Sequence, residues 1–210
     1  MRRYITEFIG TFFLVFTVCC AVLGGASLAP LAIGAVLATM VFAGGHISGA
    51  HYNPAVTLAV FLRGKCSKAD VLPYWAAQVL GAALAAGIVL FMKNNPSVEA
   101  AEPDITKALL AEFLFTFALC YVVLNVATAK GTSGNSFYGL TIGFTVLCGV
   151  YAVGDVSGGA FNPAVAVGIT IMGLSAIANI WIFLVANLAA GAAAAYVFLF
   201  VNKEEAATPT

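Results

Sequence analysis

A chain of 210 residues would suit one soluble domain, but 62% of these residues are hydrophobic and only 9% are charged, against roughly 25% charged in an ordinary globular chain. Nine basic and nine acidic side chains cannot clothe a water-soluble fold of this size, which excludes a soluble enzyme and a disordered chain. Zero net charge and the lack of a basic run exclude a nucleic-acid binder. Such a sequence belongs in a lipid bilayer.

Arg2 and Arg3 lead into an apolar run over 4–24, long enough to cross the hydrocarbon at about 1.5 Å per residue. It is predicted to stay as a span rather than be removed as a signal. A second span is predicted over 30–49. The apolar piece 53–63 that follows is too short to cross and is predicted to be a re-entrant half-helix. A third span is predicted over 69–92. The polar segment NNPSVEAAEPD, residues 94–104, is the predicted mid-chain connection. Spans four and five are predicted over 106–128 and 136–155, a second half-helix over 162–173, and a sixth span over 177–201. Residues 204–210 are predicted to be a disordered tail. The five cysteines (Cys19, Cys20, Cys66, Cys120 and Cys148) lie mostly in apolar runs without metal-ligand spacing. They read as small buried hydrophobes.

With the N-terminus inside, Arg2, Arg3, Arg63, Lys65, Lys68, Lys130 and Lys203 are cytoplasmic, while Lys93 and Lys107 fall outside. That bias predicts six crossings with both termini in the cytoplasm.

The chain also repeats itself. Residues 31–56 align without a gap on residues 140–165, an offset of 109, with identities that include Leu31, Ile33, Gly34, Ala43, Gly45, Ser48, Gly49, and Asn53 to Val56. Further on, Gln78 falls on Asn187; earlier, Glu7-Phe8 falls on Glu112-Phe113 at an offset of 105. With three spans per repeat, the two halves must insert in opposite orientations. An inverted repeat with broken helices places a site or pathway near the membrane midplane.

Each half-helix is preceded by glycine and serine: Gly45, Ser48, Gly49 and Ala50 before Asn53, and Gly154, Ser157, Gly158 and Gly159 before Asn162. Irregular backbone at membrane depth is tolerated where it lines a cavity or protein. Asn is a good N-cap and Pro suits the first helical turn, so helices are predicted to begin at Asn53-Pro54 and Asn162-Pro163. Inverted symmetry then points the two N-termini at each other. Each carries roughly half a positive charge from its aligned peptide dipoles, and together they oppose cations. The Asn53 and Asn162 carboxamides can donate hydrogen bonds into the path, and the extended segments before them can offer carbonyl oxygens. A neutral molecule that donates and accepts can trade its solvent partners for these, while a cation finds no replacement shell.

Two Asn-Pro-Ala motifs, in HISGAHYNPAV and SGGAFNPAV, with Glu7 and Glu112 in spans one and four, resemble the aquaporin family, the major intrinsic proteins. The resemblance covers about residues 4–201. It implies an all-α membrane fold of six transmembrane helices and two re-entrant half-helices, forming a single channel domain over 1–203 with inverted repeats at about 4–93 and 106–201. It also implies one pore per subunit, assembly as homotetramers, and passage of water with no cofactor. Asn53, Pro54, Ala55, Asn162, Pro163 and Ala164 are then the pore motifs. Gly49, Ala50, His51, Tyr52, Ala160 and Phe161 supply pore carbonyls. Glu7 and Glu112 become buried structural acids that accept hydrogen bonds from the re-entrant backbone, and His46 lies in the cytoplasmic vestibule.

The sequence departs from the family at its filter. An arginine usually follows the second Asn-Pro-Ala; here Val165 stands there. Counting from the two Asn residues, the other filter positions are Ile33, Val150 and Gly159, where water-selective members commonly place an aromatic residue and a histidine. The filter therefore reads as wider, less polar and uncharged, open to small neutral solutes besides water. Glycerol conductors usually carry aspartate after the arginine; here it is Ala166.

Other residues carry plainer readings. His46 and His51 are five apart with no third ligand, so no metal site is expected. Asp155 reads as solvated. Gly81, Gly87 and Gly191 read as close-packing positions, and Tyr4, Trp75 and Trp181 as interfacial anchors. No catalytic constellation is evident, and the compact termini point to the plasma membrane. The rival readings are a facilitator for glycerol, urea or ammonia, and an ion-coupled secondary transporter, for which only Glu7 and Glu112 could bind the coupling ion.

Overall fold

The computed structural model describes residues 1–203; the tail expected over 204–210 lies outside the described residues. Eight α-helices follow in chain order: α1 (Arg2–Leu23), α2 (Ala29–Ser48), α3 (Pro54–Leu62), α4 (Lys68–Met92), α5 (Ile105–Thr128), α6 (Tyr138–Ser157), α7 (Pro163–Ile171) and α8 (Ile180–Val201). Six are long and apolar enough to cross a membrane, the last of them including the 3-10 turn Ile177–Asn179. The fold class is the expected one: six spans and two short helices, with no strand among the described residues.

The short helices begin where their caps dictate. Asn53 is extended (φ −157°, ψ 122°) and its side chain accepts the Ala55 N–H; Asn162 (φ −161°, ψ 116°) does the same for Ala164. The preceding long helices stop at glycine. Gly49 closes α2 with φ 87° and Gly158 closes α6 with φ 90°, the left-handed conformation that a residue without Cβ adopts most cheaply. The fifth span starts at Tyr138, two residues later than expected, because Asn135 is tied into the loop: its Nδ2 donates to the Val126 and Thr132 carbonyls and its Oδ1 accepts the Phe137 N–H.

The two repeats interlock. Within the first, α1 packs on α2 and α4; within the second, α5 packs on α6 and α8. The short helices cross over: α3 lies against α8 and α5 as well as α4, and α7 against α4 and α1 as well as α8. At the α2–α6 crossing Gly34 faces Gly143, its own counterpart at the 109-residue offset. A Cβ on Gly34 would lie 2.8 Å from the Gly143 carbonyl oxygen, and one on Gly143 would collide with the Gly34 carbonyl. Gly81 and Gly191 meet backbone just as closely, at Phe8 and Ala55. Gly87 does not: nothing lies within 4 Å of a Cβ there, so its expected packing role is corrected to an exposed position on α4. Gly143→Ala is therefore expected to lower the thermal midpoint in detergent by roughly 3–10 °C, the cost of forcing a methyl into a full interface. Gly87→Ala should leave it unchanged or raise it, since alanine is the better helix former.

Arg63, placed by the sequence on the cytoplasmic side, is 6% exposed. It caps α3, reaches Thr128 at the end of α5 with two hydrogen bonds of 3.3 Å, and lies 5.1 Å over the Phe198 ring of α8. A cation at the carbonyl ends of α3 and α5 complements both helix dipoles. Among the cysteines, Cys148 is exposed on α6 rather than buried.

Candidate functional site

The two short helices meet through their cap residues. Asn53 Nδ2 donates to the Phe161 carbonyl at 2.9 Å, and Asn162 Nδ2 donates to the Tyr52 carbonyl at 2.9 Å. Each carboxamide is thus held at both ends, its oxygen by its own helix and one N–H by the opposite loop. A carboxamide has two N–H groups, so one on each Asn is left for whatever lies beside the junction. These reciprocal bonds between repeats were not legible in the sequence, because nothing in the linear spacing says which carbonyl each amide meets.

The loops entering the junction are each braced by a buried acid. Glu7 on α1 accepts the N–H groups of His51 and Tyr52 at 2.9 and 2.6 Å, and the Ser48 hydroxyl at 2.6 Å. Glu112 on α5 accepts those of Ala160 and Phe161 at 2.9 and 2.7 Å, and the Ser157 hydroxyl at 2.8 Å. Each serine oxygen in turn accepts the N–H two residues on, at Ala50 and Gly159. Backbone at membrane depth has no water to satisfy it, and a carboxylate offers about four lone-pair sites in one place. The first repeat adds a further layer: Gln78 Nε2 bridges Glu7 and the Thr57 hydroxyl, which also lies 3.1 Å from His51 Nδ1. In the second, Thr116 donates to Asn187. Ala50, Tyr52 and Phe161 hold positive φ of 52°, 50° and 47° without being glycine, a strain these braces sustain.

Two cavities flank the junction. One, of about 420 Å³, opens beside the 94–104 connection and runs down to Asn53 and Asn162; we call it the loop-side cavity. The other, of about 450 Å³, opens beside Arg3, Lys65 and Asp70. His51 and Val123 line both, so the two adjoin there. Ile33, Val150, Gly159 and Val165 all line the loop-side cavity, as do Ala50, Tyr52 and Ala160, while Gly49 lines the other. Pro54, Ala55, Pro163 and Ala164 are buried behind the junction rather than on a cavity wall.

Several expected placements change. Phe161 lines neither cavity: its carbonyl is taken by Asn53 and its ring packs 5.5 Å from Phe115. His46 is exposed and lines neither, the α2 contribution to the second cavity coming from Ile47 and Ser48. Asp155 keeps its expected placement: it is exposed and lines neither cavity. Trp75 is no interfacial anchor, since its indole N–H donates inward to the Pro54 carbonyl at 3.1 Å. Glu99, which the sequence did not single out, lines the loop-side cavity because the connection folds back over it, with Ala101 N–H donating to Leu174 and Ala101 bridging Ser175. Burial, with the charge of Asp70 behind it, pushes the Cys66 thiol up from its ordinary value, which keeps it protonated beside the second cavity.

Among the described residues no cluster of three or more His, Cys, Asp or Glu side chains stands ready for a metal. What the site offers is two opposed helix N-termini, two inward amide donors, a largely apolar wall on the loop side and a polar, partly charged one on the other.

The sequence matches the family model for the major intrinsic proteins over residues 1–198. The chain belongs to that family. It is an integral membrane protein. Among relatives of this major intrinsic protein, aquaporin NIP1-1 of Oryza sativa subsp. japonica is 38% identical over 97% of this chain and 76% of its own length. Nodulin-26 of Glycine max is 35% identical over 96% and 78%. Glycerol uptake facilitator protein-like 6 of Lactiplantibacillus plantarum is 34% identical over 98% of this chain and 100% of its own. In fold, the chain is similar to the aquaglyceroporin from Plasmodium falciparum, with a TM-score of 0.78 at 24% identity over 96% and 95% of the two chains.

Proposed function

We propose that this family member is a passive channel for water that also passes small neutral solutes, with Ile33, Val150, Gly159 and Val165 as its filter. The observation that carries the reading is the junction itself: two helix N-termini fixed face to face by Asn53 and Asn162, with a cavity on each side. A cation approaching it meets positive dipole ends, whereas water can satisfy an amide donor and a carbonyl together. A filter without arginine or histidine sets size and hydration, rather than charge, as the limits on what enters.

Glu7 and Glu112 serve as braces rather than ion sites, since their oxygens are taken by loop donors. Neither acid is then free to bind a coupling ion. Both termini face the cytoplasm of a plasma membrane in this reading, and four copies assemble, each with its own lane. The glycerol-facilitator alternative is kept because a relative bears that name.

Stopped-flow measurements on proteoliposomes decide between these. Water permeability well above that of empty liposomes, with flux indifferent to proton and sodium gradients, is the expected result. If water matches empty liposomes while glycerol or urea enters quickly, the facilitator reading replaces it. Val165→Arg is expected to cut urea permeability by about tenfold or more while sparing water, because a guanidinium both fills the lane and adds five donors. Unchanged urea entry would remove Val165 from the filter.

A further inference from the structure

The loop-side cavity has an unusual balance of polar groups. Its walls down to the Asn pair are largely branched aliphatics, among them Leu14, Ile33, Leu37, Val146, Val150 and Val165. Apart from Phe161, both re-entrant loops border one cavity or the other, yet their N–H groups are all committed. In the second loop, Gly158 N–H goes to Gly154, Gly159 N–H to the Ser157 hydroxyl, and Ala160 and Phe161 N–H to Glu112. In the first, Gly49 N–H goes to Gly45, Ala50 N–H to the Ser48 hydroxyl, and His51 and Tyr52 N–H to Glu7. Side-chain donors to a passing molecule are therefore one N–H on each Asn at the bottom and the Ser175 hydroxyl beside the mouth, where the Glu99 carboxylate adds acceptors.

We propose that this stretch ranks neutral solutes by the water they must shed, so that molecules carrying an alkyl group in place of a hydroxyl or amide N–H pass faster than their more polar counterparts. The substrate class is small amphiphilic non-electrolytes: short diols over triols, and N-alkylated ureas over urea. This inference rests on the channel reading above. An oxygen acceptor stripped of water finds no replacement donor between Ser175 and the Asn pair. An alkyl group needs none and gains by leaving water against Val150 and Ile33. An arginine at position 165 would supply the missing donors and abolish the ranking.

The test compares channel-mediated entry, after subtraction of empty liposomes, for 1,2-propanediol against glycerol and methylurea against urea. Expected are ratios of about three or more in both pairs, near the factor that one methylene transferred from water is worth. Val150→Thr, which adds a hydroxyl donor at nearly constant volume, is expected to lower both ratios at least twofold. Wild-type ratios at or below one, with water and urea still flowing, overturn the ranking, as do ratios that ignore Val150→Thr. If neither water nor any solute exceeds empty liposomes, the channel reading itself fails and takes this one with it.

Discussion

Replacing Glu7 by leucine is expected to cost the protein its folded state. The carboxylate receives four donors: the His51 and Tyr52 N–H groups, the Ser48 hydroxyl and Gln78 Nε2, and Glu7 itself is fully buried. Leucine keeps the volume and leaves the two N–H groups and the Ser48 hydroxyl without an acceptor in a place water does not reach, and takes from Gln78 Nε2 one of its two partners. At about 1–3 kcal/mol for each orphaned group, the loss rivals the roughly 5–15 kcal/mol by which a fold exceeds its unfolded chain. Glu7→Gln separates charge from shape. It retains one acceptor oxygen but turns an NH2 against donors, and is expected to lower the thermal midpoint by roughly 5–10 °C. Size-exclusion profiles and thermal scans in detergent read both. A Glu7→Leu protein that elutes as a single species with wild-type melting would mean that the first re-entrant loop is held by packing alone. The equivalent change at Glu112 orphans three donors, so it should be severe but milder.

Much of the architecture was legible because membrane constraints act locally. A span needs about twenty predominantly apolar residues, and each of the six stands out as such a run. The short helices were legible for a different reason: Asn followed by Pro is a helix start wherever it occurs, and a stretch too short to cross has few other options. The repeat then supplied the inverted relation between the halves. What escaped was everything decided by a residue far away in the chain. Trp75 has an interfacial anchor's composition, but α4 carries it alongside α3, where it finds the Pro54 carbonyl. Arg63 follows the positive-inside pattern, yet Thr128 and Phe198 fold over it. Glu99 lies in a segment with no pattern at all, and its position at the cavity mouth goes with the pairing of Ala101 to Leu174 and Ser175. At the site, the positions of Ile33, Val150, Gly159 and Val165 beside one cavity followed from counting off the Asn pair. The reciprocal amide bonds across the junction had no linear signal, since they join residues 108 and 110 apart.

Those reciprocal bonds set up the second large effect. Asn53→Asp is expected to leave the fold intact and open the lane to cations. Aspartate is as good an N-cap as asparagine, so its oxygen still accepts the Ala55 N–H, and an anion at the start of α3 is favoured by the helix dipole. What disappears is the N–H donated to Phe161. In its place a carboxylate oxygen faces a carbonyl oxygen, which loosens the junction. Electrostatically the change is larger. Two opposed N-termini present roughly one positive charge in sum, and one carboxylate cancels it. At about 5 Å and an effective dielectric near 20, removing that charge lowers the barrier to a monovalent cation by about 3 kcal/mol, on the order of a hundredfold in entry rate. Proton and sodium leak in vesicles loaded with a voltage-sensitive dye reads the change directly. Asn162→Asp, at the mirror position with the same cap on Ala164 and the same bond to Tyr52, should leak to a similar degree. If both variants conduct water and remain as ion-tight as the wild type, cation exclusion does not reside in the opposed helix ends, and the apolar wall of the loop-side cavity must suffice by refusing the ion its hydration shell.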